Sequence, residues 1–553
     1  MITAKLRDSF MSTMRFQAMR FVLAAACCGI SAARARTSDL PAAEPGRADI
    51  AVAAAEVRRR DMTNRIDAFL AQRWQEADLQ PAEMASDEQY LRRATLDLTG
   101  VVPRVSDVRT FLQDERPEKR ELLIDGLLSS PRYATHMATT WRNRILPHEL
   151  DQARSREALA LQRWLRSRFA RNIRYDNLVG GLLLTTGGAD QFGPALYFRA
   201  HDLAPEKIAA SAAELFLGAR LRCAQCHDHP YADWKQSDFW GLAAFFARVK
   251  SADDRGMQPV YRLTDARQGE VRLPDTGQIV APKYPHGDAT SDEPGQSRRL
   301  QLSLWLTSRD NPFFARAAVN WAWSHLFGAS LVEAIDQQDW DEAVPNAPLV
   351  DELAEYFVAS GFDLQQLWRT LAATRAYQLA SQPGEGATDS REMFAHMTPK
   401  PLTPEQLYDT FVLLAPRNAG AQRTPGQAVA SSAMQEDLAR SEFVRRMRTP
   451  PGEASEFRAS TLQALMLMNG RETDQATDGG TSRLLGALTA PYMSDEQRLD
   501  ALFLATLSRF PEDDQRQALI ELVHTAESLS ERERALGDVL WALLNSTEFA
   551  FNH

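Results

Sequence analysis

Ser86-Asp87-Glu88-Gln89-Tyr90-Leu91-Arg92-Arg93-Ala94-Thr95-Leu96-Asp97-Leu98-Thr99-Gly100 sets the fold class of this chain. Ser86 is a helix-capping residue type, and Tyr90, Leu91, Ala94 and Leu98 recur at the spacing of one helix face. Gly100, with Pro103 behind it, ends the helix. The same grammar repeats in both directions. Upstream, Asn64 to Ala77 carries Ile66, Phe69, Leu70 and Trp74 at helical spacing. Downstream, helices are predicted from Ser106 through Leu112, over 117–128 closing at Ser129-Ser130-Pro131, over 133–145 and over 156–169. Pro205 to Arg220 follows, and then a helix capped by Ser237 or Asp238 that bears Phe239, Trp240, Leu242, Phe245 and Phe246. The second half adds helices over 301–307, 312–327, 348–360, 364–376, 404–414, 436–447, 460–468, 482–489, 494–508, 513–526 and 531–544.

Between the halves the pattern changes. Val260-Tyr261-Arg262-Leu263 and Glu270-Val271-Arg272-Leu273 alternate partially, and Pro274-Asp275-Thr276-Gly277 is a turn. His286 to Ser297 is a polar linker. The chain therefore reads as mostly α: two packed multi-helix domains with a small β-hairpin insertion between them. The expected boundaries are 61–255 for the N-terminal helical domain, 256–297 for the hairpin insertion and linker, and 298–553 for the C-terminal helical domain.

Residues 1–35 read as a secretory signal peptide and 36–60 as a flexible leader. Arg15 and Arg20 precede the apolar run Phe21 to Ile30, and Ala33-Arg34-Ala35 offers a small-x-small cleavage site. The run is too short to span a bilayer, so no transmembrane segment is expected after signal removal. Leu23 to Cys27 resembles a lipoprotein box with its leucine one place out of register, which leaves a lipid anchor at Cys27 open. The predicted location is outside the cytoplasm, periplasmic or extracellular, with membrane anchoring only through that lipid. The whole chain of 553 residues carries a formal charge of −10. The signal holds five basic residues and one acidic one, so the remainder carries −14. An acidic surface argues against nucleic acid as a partner and suits docking to a basic redox protein, whose identity the sequence does not give.

Chemistry concentrates in Cys223-Ala224-Gln225-Cys226-His227. The C-x-x-C-H spacing is the attachment signature of c-type haem: two thiols three positions apart each take one vinyl group, and the next residue supplies an imidazole to the iron. Two other readings stay open. Zinc wants four ligands, and here it would need Cys223, Cys226, His227 and His229, because the remaining cysteines, Cys27 and Cys28, lie in the signal. A disulfide between Cys223 and Cys226 is the other. Haem would be helped by aromatic walls, which the 237–246 helix could supply. For the sixth iron position His201, His325 and His553 are the candidates; His229 leaves the same short loop as His227 and suits the zinc reading better. Asp336, Asp339, Asp341 and Glu342 cluster in a loop without the spacing of a calcium hand. No phosphate loop, dinucleotide fingerprint or serine elbow is present.

The Leu91 to Gly100 segment, Ser130-Pro131-Arg132-Tyr133, Phe216-Leu217-Gly218 and Cys-Ala-Gln-Cys-His-Asp-His-Pro resemble the first half of a known family. Trp234 and Gly241 to Phe246 continue the likeness. So do Asn311 to Arg316, Asn320, Trp323, His325, Phe327, Gly328, Asp336, Arg375-Ala376-Tyr377-Gln378 and the ending Trp541 to Phe549 with His553. The chain is similar to planctomycete-type secreted proteins built from paired DUF1549 and DUF1553 domains. Such proteins often carry a separate cytochrome-like domain ahead of the pair, for which too few residues precede Met62 here, and they occur beside polysaccharide-degrading enzymes. Trp321 stands where the family usually shows arginine. The expectation is an exported c-type haem redox protein, transferring electrons and coupled, as a haem-dependent oxidoreductase, to oxidation of an organic substrate such as a carbohydrate. The alternative is a non-haem scaffold or glycan-binding protein with a disulfide or zinc at the C-x-x-C-H.

Overall fold

The computed structural model describes residues 45–147, 155–187, 192–228, 234–251, 262–285, 287, 290, 296–333, 335, 344–383, 391–414, 439–447 and 461–553. The signal and Cys27, His229 and the Asp336, Asp339, Asp341 and Glu342 cluster lie outside them. Residues 57–553 form one compact unit. Its described residues are mostly helical, with three two-stranded antiparallel sheets among them.

The opening stretch forms the Asp87–Thr99 helix. Ser86 Oγ accepts from the Gln89 amide at 3.3 Å, and Gly100 closes the helix in the left-handed conformation at φ 72°. The helix is not one-sided. Every residue from Tyr90 to Thr99 is buried, because it stands between two hydrophobic clusters. Leu91, Ala94 and Leu98 belong to the larger cluster, which runs from Met62 to Met397 and includes Leu504. Leu96 belongs to the smaller one, made with Val102 and residues from Leu402 to Phe549. The larger cluster thus draws side chains from both halves of the sequence.

Several elements differ from expectation for local reasons. The first described helix spans Pro45–Glu76, so 45–60, read as leader from composition, is helical; its alanine-rich content favours that state. The helices Tyr175–Leu183 and Phe192–Ala200 were not anticipated. Gly180, Gly181, Gly193 and Pro194 lower their intrinsic propensity, and burial overrides it. Neither Ser237 nor Asp238 caps the next helix, which spans Gln236–Ala244; Asp238 instead reaches back to accept from the Lys235 amide at 3.0 Å. In the insertion, Val249–Ser251 pairs with Leu263–Asp265, and Val271–Arg272 pairs with Ile279–Val280 across the expected turn. A third pair, Lys400–Pro401 with Phe551–Asn552, brings the chain end into the body of the fold.

Candidate functional site

The C-x-x-C-H loop hangs from a helix that changes gauge. Pro205–Ala212 is α-helical, and its continuation Ala213–Leu217 widens into a π turn. Such turns are frequent at functional sites. Gly218 ends it at φ 67°, and a Cβ there would come within 2.8 Å of Ile335 Cβ, so only glycine fits. Leu221 and Ala224 are buried and pin the loop to the core. Cys223–Gln225 form a single 3₁₀ turn. The loop carbonyls are held from below: Trp240 Nε1 donates to Gln225 O at 3.1 Å, and Gln236 Nε2 to Cys226 O at 2.9 Å.

On this platform Cys223 and Cys226 are exposed free thiols, and His227 is exposed beside them. His227 Nδ1 donates to Asp228 O at 2.7 Å, which leaves Nε2 as its available lone pair. Of the aromatic helix expected to wall a porphyrin, Phe239, Phe245 and Phe246 are wholly buried, Phe245 stacked on Tyr284; only Trp240 reaches the loop, as its hydrogen-bond support. Trp234 is buried near Phe313. None of these side chains seals the thiols from solvent. Two free thiols and an imidazole with a fixed tautomer are the donor set that c-type attachment uses, and the residues present fit it. Among the described residues no three His, Cys, Asp or Glu side chains converge as ligands for a metal ion.

The three histidines expected as candidates for the sixth iron position have different partners. His201 Nδ1 donates to Tyr197 O at 2.7 Å. His325 commits its Nε2 to Asp97 O at 3.0 Å and packs against His136, Trp321 and Trp368. His553 lies on Phe551 O at 3.4 Å; burial holds it down to about 4, with the Arg92 charge adding to the effect.

Sequence reading missed a second constellation. Asp97, 3% exposed, accepts from Lys400 Nζ at 2.6 Å, Tyr377 Oη at 2.8 Å and Asn552 Nδ2 at 2.7 Å. Lys400 Nζ also donates to His325 O and Leu326 O, carbonyls at the end of the Pro312–Phe327 helix, and burial lowers its pKa. Arg92 donates to Thr506 O and Phe549 O; Arg93 donates to Tyr377 O and Leu379 O. Burial brings Arg92 down to about 10. Arg298 and Arg299 act likewise on Ala244 O, Leu183 O and Thr185 O. The available signal was two Arg-Arg pairs set within apolar helical runs. These groups tie chain segments together through main-chain carbonyls, and Arg298 and Arg299 also pair with the carboxylates of Glu270 and Asp265.

Residues 65–251 match the family model PSCyt2, a protein of unknown function (DUF1549), and residues 298–523 match PSD1, a protein of unknown function (DUF1553). No curated protein and no solved structure matches the chain. No helix among the described residues is long and apolar enough to cross a membrane. Arg93 and Asp97 lie in the first matched region and meet Tyr377 and Lys400 of the second, Arg92 of the first meets Thr506 of the second, and the C-x-x-C-H sits inside the first; the chain belongs to the family of tandem DUF1549–DUF1553 proteins.

Proposed function

We propose that this protein is an exported c-type haem protein that transfers electrons. The observation that carries the reading is a surface 3₁₀ turn presenting two free thiols and an imidazole whose Nδ1 is already tied to a carbonyl. Cys223 and Cys226 would hold the porphyrin through two thioether bonds, each S–H adding across one vinyl group with no leaving group, and His227 would offer its Nε2 as a ligand. Exposure lets the haem-installing machinery reach both sulfurs. Gln236 and Trp240 hold the loop's carbonyls, so the sulfurs stand on a fixed base. Haem, when bound, supplies one-electron redox chemistry. The name PSCyt2 points to an association with cytochromes. Oxidation of an organic substrate such as a carbohydrate rests on the family likeness alone, and is tested by substrate-dependent reduction of the purified protein.

The deciding experiment is expression in a host with haem-maturation machinery, followed by intact mass and the alkaline pyridine spectrum. We expect one haem covalently bound per chain, abolished by Cys223→Ala with Cys226→Ala. A mature chain of unmodified mass overturns the reading; zinc by metal analysis, or a Cys223–Cys226 disulfide by thiol titration, would then name the replacement.

A further inference from the structure

The helix Leu529–Leu544 and the turn that follows the helix Arg471–Thr477 enclose a cleft of about 340 Å³, the size of a small-molecule site. Ser530, Glu533, Arg534, Gly537, Asp538 and Trp541 line it, at the three- and four-residue spacing of one helix face. Asp478 lines it from the turn. Two glycines allow the close approach. A Cβ at Gly537 would stand 2.5 Å from Thr477 O, and one at Gly479 would overlap the Glu533 carboxyl. The turn is thus seated on the helix at fixed points, and Asp478 Oδ1 braces it by accepting from the Gly480 amide at 2.7 Å.

The lining is lopsided in charge. Asp478, Glu533 and Asp538 bring three carboxylates and Arg534 a single guanidinium, and none of the four makes an ion pair among the described residues. Neighbouring cations are already engaged: Arg498 and Arg532 reach Asp495, and Arg509 reaches Glu548. Carboxylates of one sign lining a concavity focus a negative potential inside it. Trp541 is an independent feature. It is 37% exposed, although its Nε1 is anchored to Met468 O at 2.9 Å. An indole face attracts a positive charge through its quadrupole, in addition to what the carboxylates supply. A bare metal ion does not suit the cleft, because among the described residues no three His, Cys, Asp or Glu side chains converge closely enough to hold one. A larger cation, its charge spread over several C–H or N–H groups, matches spaced carboxylates beside an aromatic wall.

We infer that this cleft binds an organic cation, a protonated or quaternary amine, against the Trp541 indole with Asp478, Glu533 and Asp538 as its counter-charge. The inference is independent of the haem reading. The test is calorimetric titration of the full-length protein with spermidine and with tetramethylammonium, beside sodium at matched ionic strength and maltose as a neutral polyol. Saturable binding of at least one amine is expected, at one site per chain. Trp541→Ala is expected to weaken it about tenfold. Glu533→Gln combined with Asp538→Asn is expected to weaken it as well; the carboxamides keep the shape, so a packing defect in the alanine variant does not decide the outcome. Arg534→Gln is expected to tighten binding, because it removes the one opposing charge. The inference is overturned if neither amine binds, if sodium matches their effect, or if maltose binds more tightly than both. Affinity that survives the Trp541 and the carboxamide variants overturns it too, as does weaker binding by Arg534→Gln, which would mean that the cleft takes an anionic group.

Discussion

Asp97 receives three side-chain hydrogens on two oxygens while almost fully buried, and one of them comes from an ammonium. A buried charge left alone costs far more than its pairing returns. Asp97→Ala strands Lys400 against the carbonyls of His325 and Leu326, and is expected to cost about 3–5 kcal/mol in urea unfolding. Adding Lys400→Met to it should recover part of that loss, since the two residues share one interaction; full additivity would place the coupling elsewhere. Gly100 is a second sensitive position. A Cβ there would run into the His136 ring in a backbone already at φ 72°, so Gly100→Ala is expected to destabilise by about 1–3 kcal/mol. At this scale the sequence was legible wherever the chemistry is local. Ser86 and Gly100 work within one helix, and the thiols of Cys223 and Cys226 within one turn. Asp97 was not legible, because its partners stand 280, 303 and 455 positions away.

Among elements, the terminal strand carries the most consequence for its length. Phe551–Asn552 pairs with Lys400–Pro401, Asn552 donates to Asp97, and Phe549 O accepts from Arg92. Removing 551–553 withdraws a strand pair and one of the three donors to Asp97. The expected loss is about 2–4 kcal/mol, read as a lower urea midpoint; Asn552→Ala should lose about 1–2 kcal/mol of it. An unchanged midpoint on truncation would show the strand to be decoration. Two residues carry no helical period or cap, which is why composition could not flag them. The same limit hid Tyr175–Leu183 and Phe192–Ala200, whose glycines and proline speak against helix until packing on Phe314, Phe357 and Phe246 is known. The hairpin at 271–280 was readable because its turn residues lie between its strands. The π turn at 213–217 was not, since widening a helix by one residue per turn leaves apolar spacing nearly intact.

Over the whole molecule the Asp87–Thr99 helix stands between two clusters, and the larger one takes residues from both family regions. Neither region alone can bury the surface it presents, so residues 57–297 and 298–553 expressed apart are expected to be insoluble or unfolded, while the joined chain melts in one transition. That transition should also respond to acid. Burial presses His136 down to about 3, with the neighbouring His325 adding to it, and burial likewise lowers His325. The two rings sit 5.9 Å apart, near Lys400 and under the Asp97 main chain. A histidine whose folded pKa lies below its unfolded value near 6.5 stays neutral in the fold while the unfolded chain takes up a proton. Its contribution is therefore complete above pH 6.5 and is lost as pH falls toward about 3, at about 1.4 kcal/mol per unit for each group at most. Asp67, raised to about 6 by burial, runs the other way, its contribution fading as pH climbs from 4 toward 6. Comparing variants separates the two. His136→Gln should flatten the fall in melting temperature between pH 6.5 and 4, and Asp67→Asn should steepen it; a His136→Gln profile parallel to the wild type would mean that this imidazole is free to take its proton inside the folded protein.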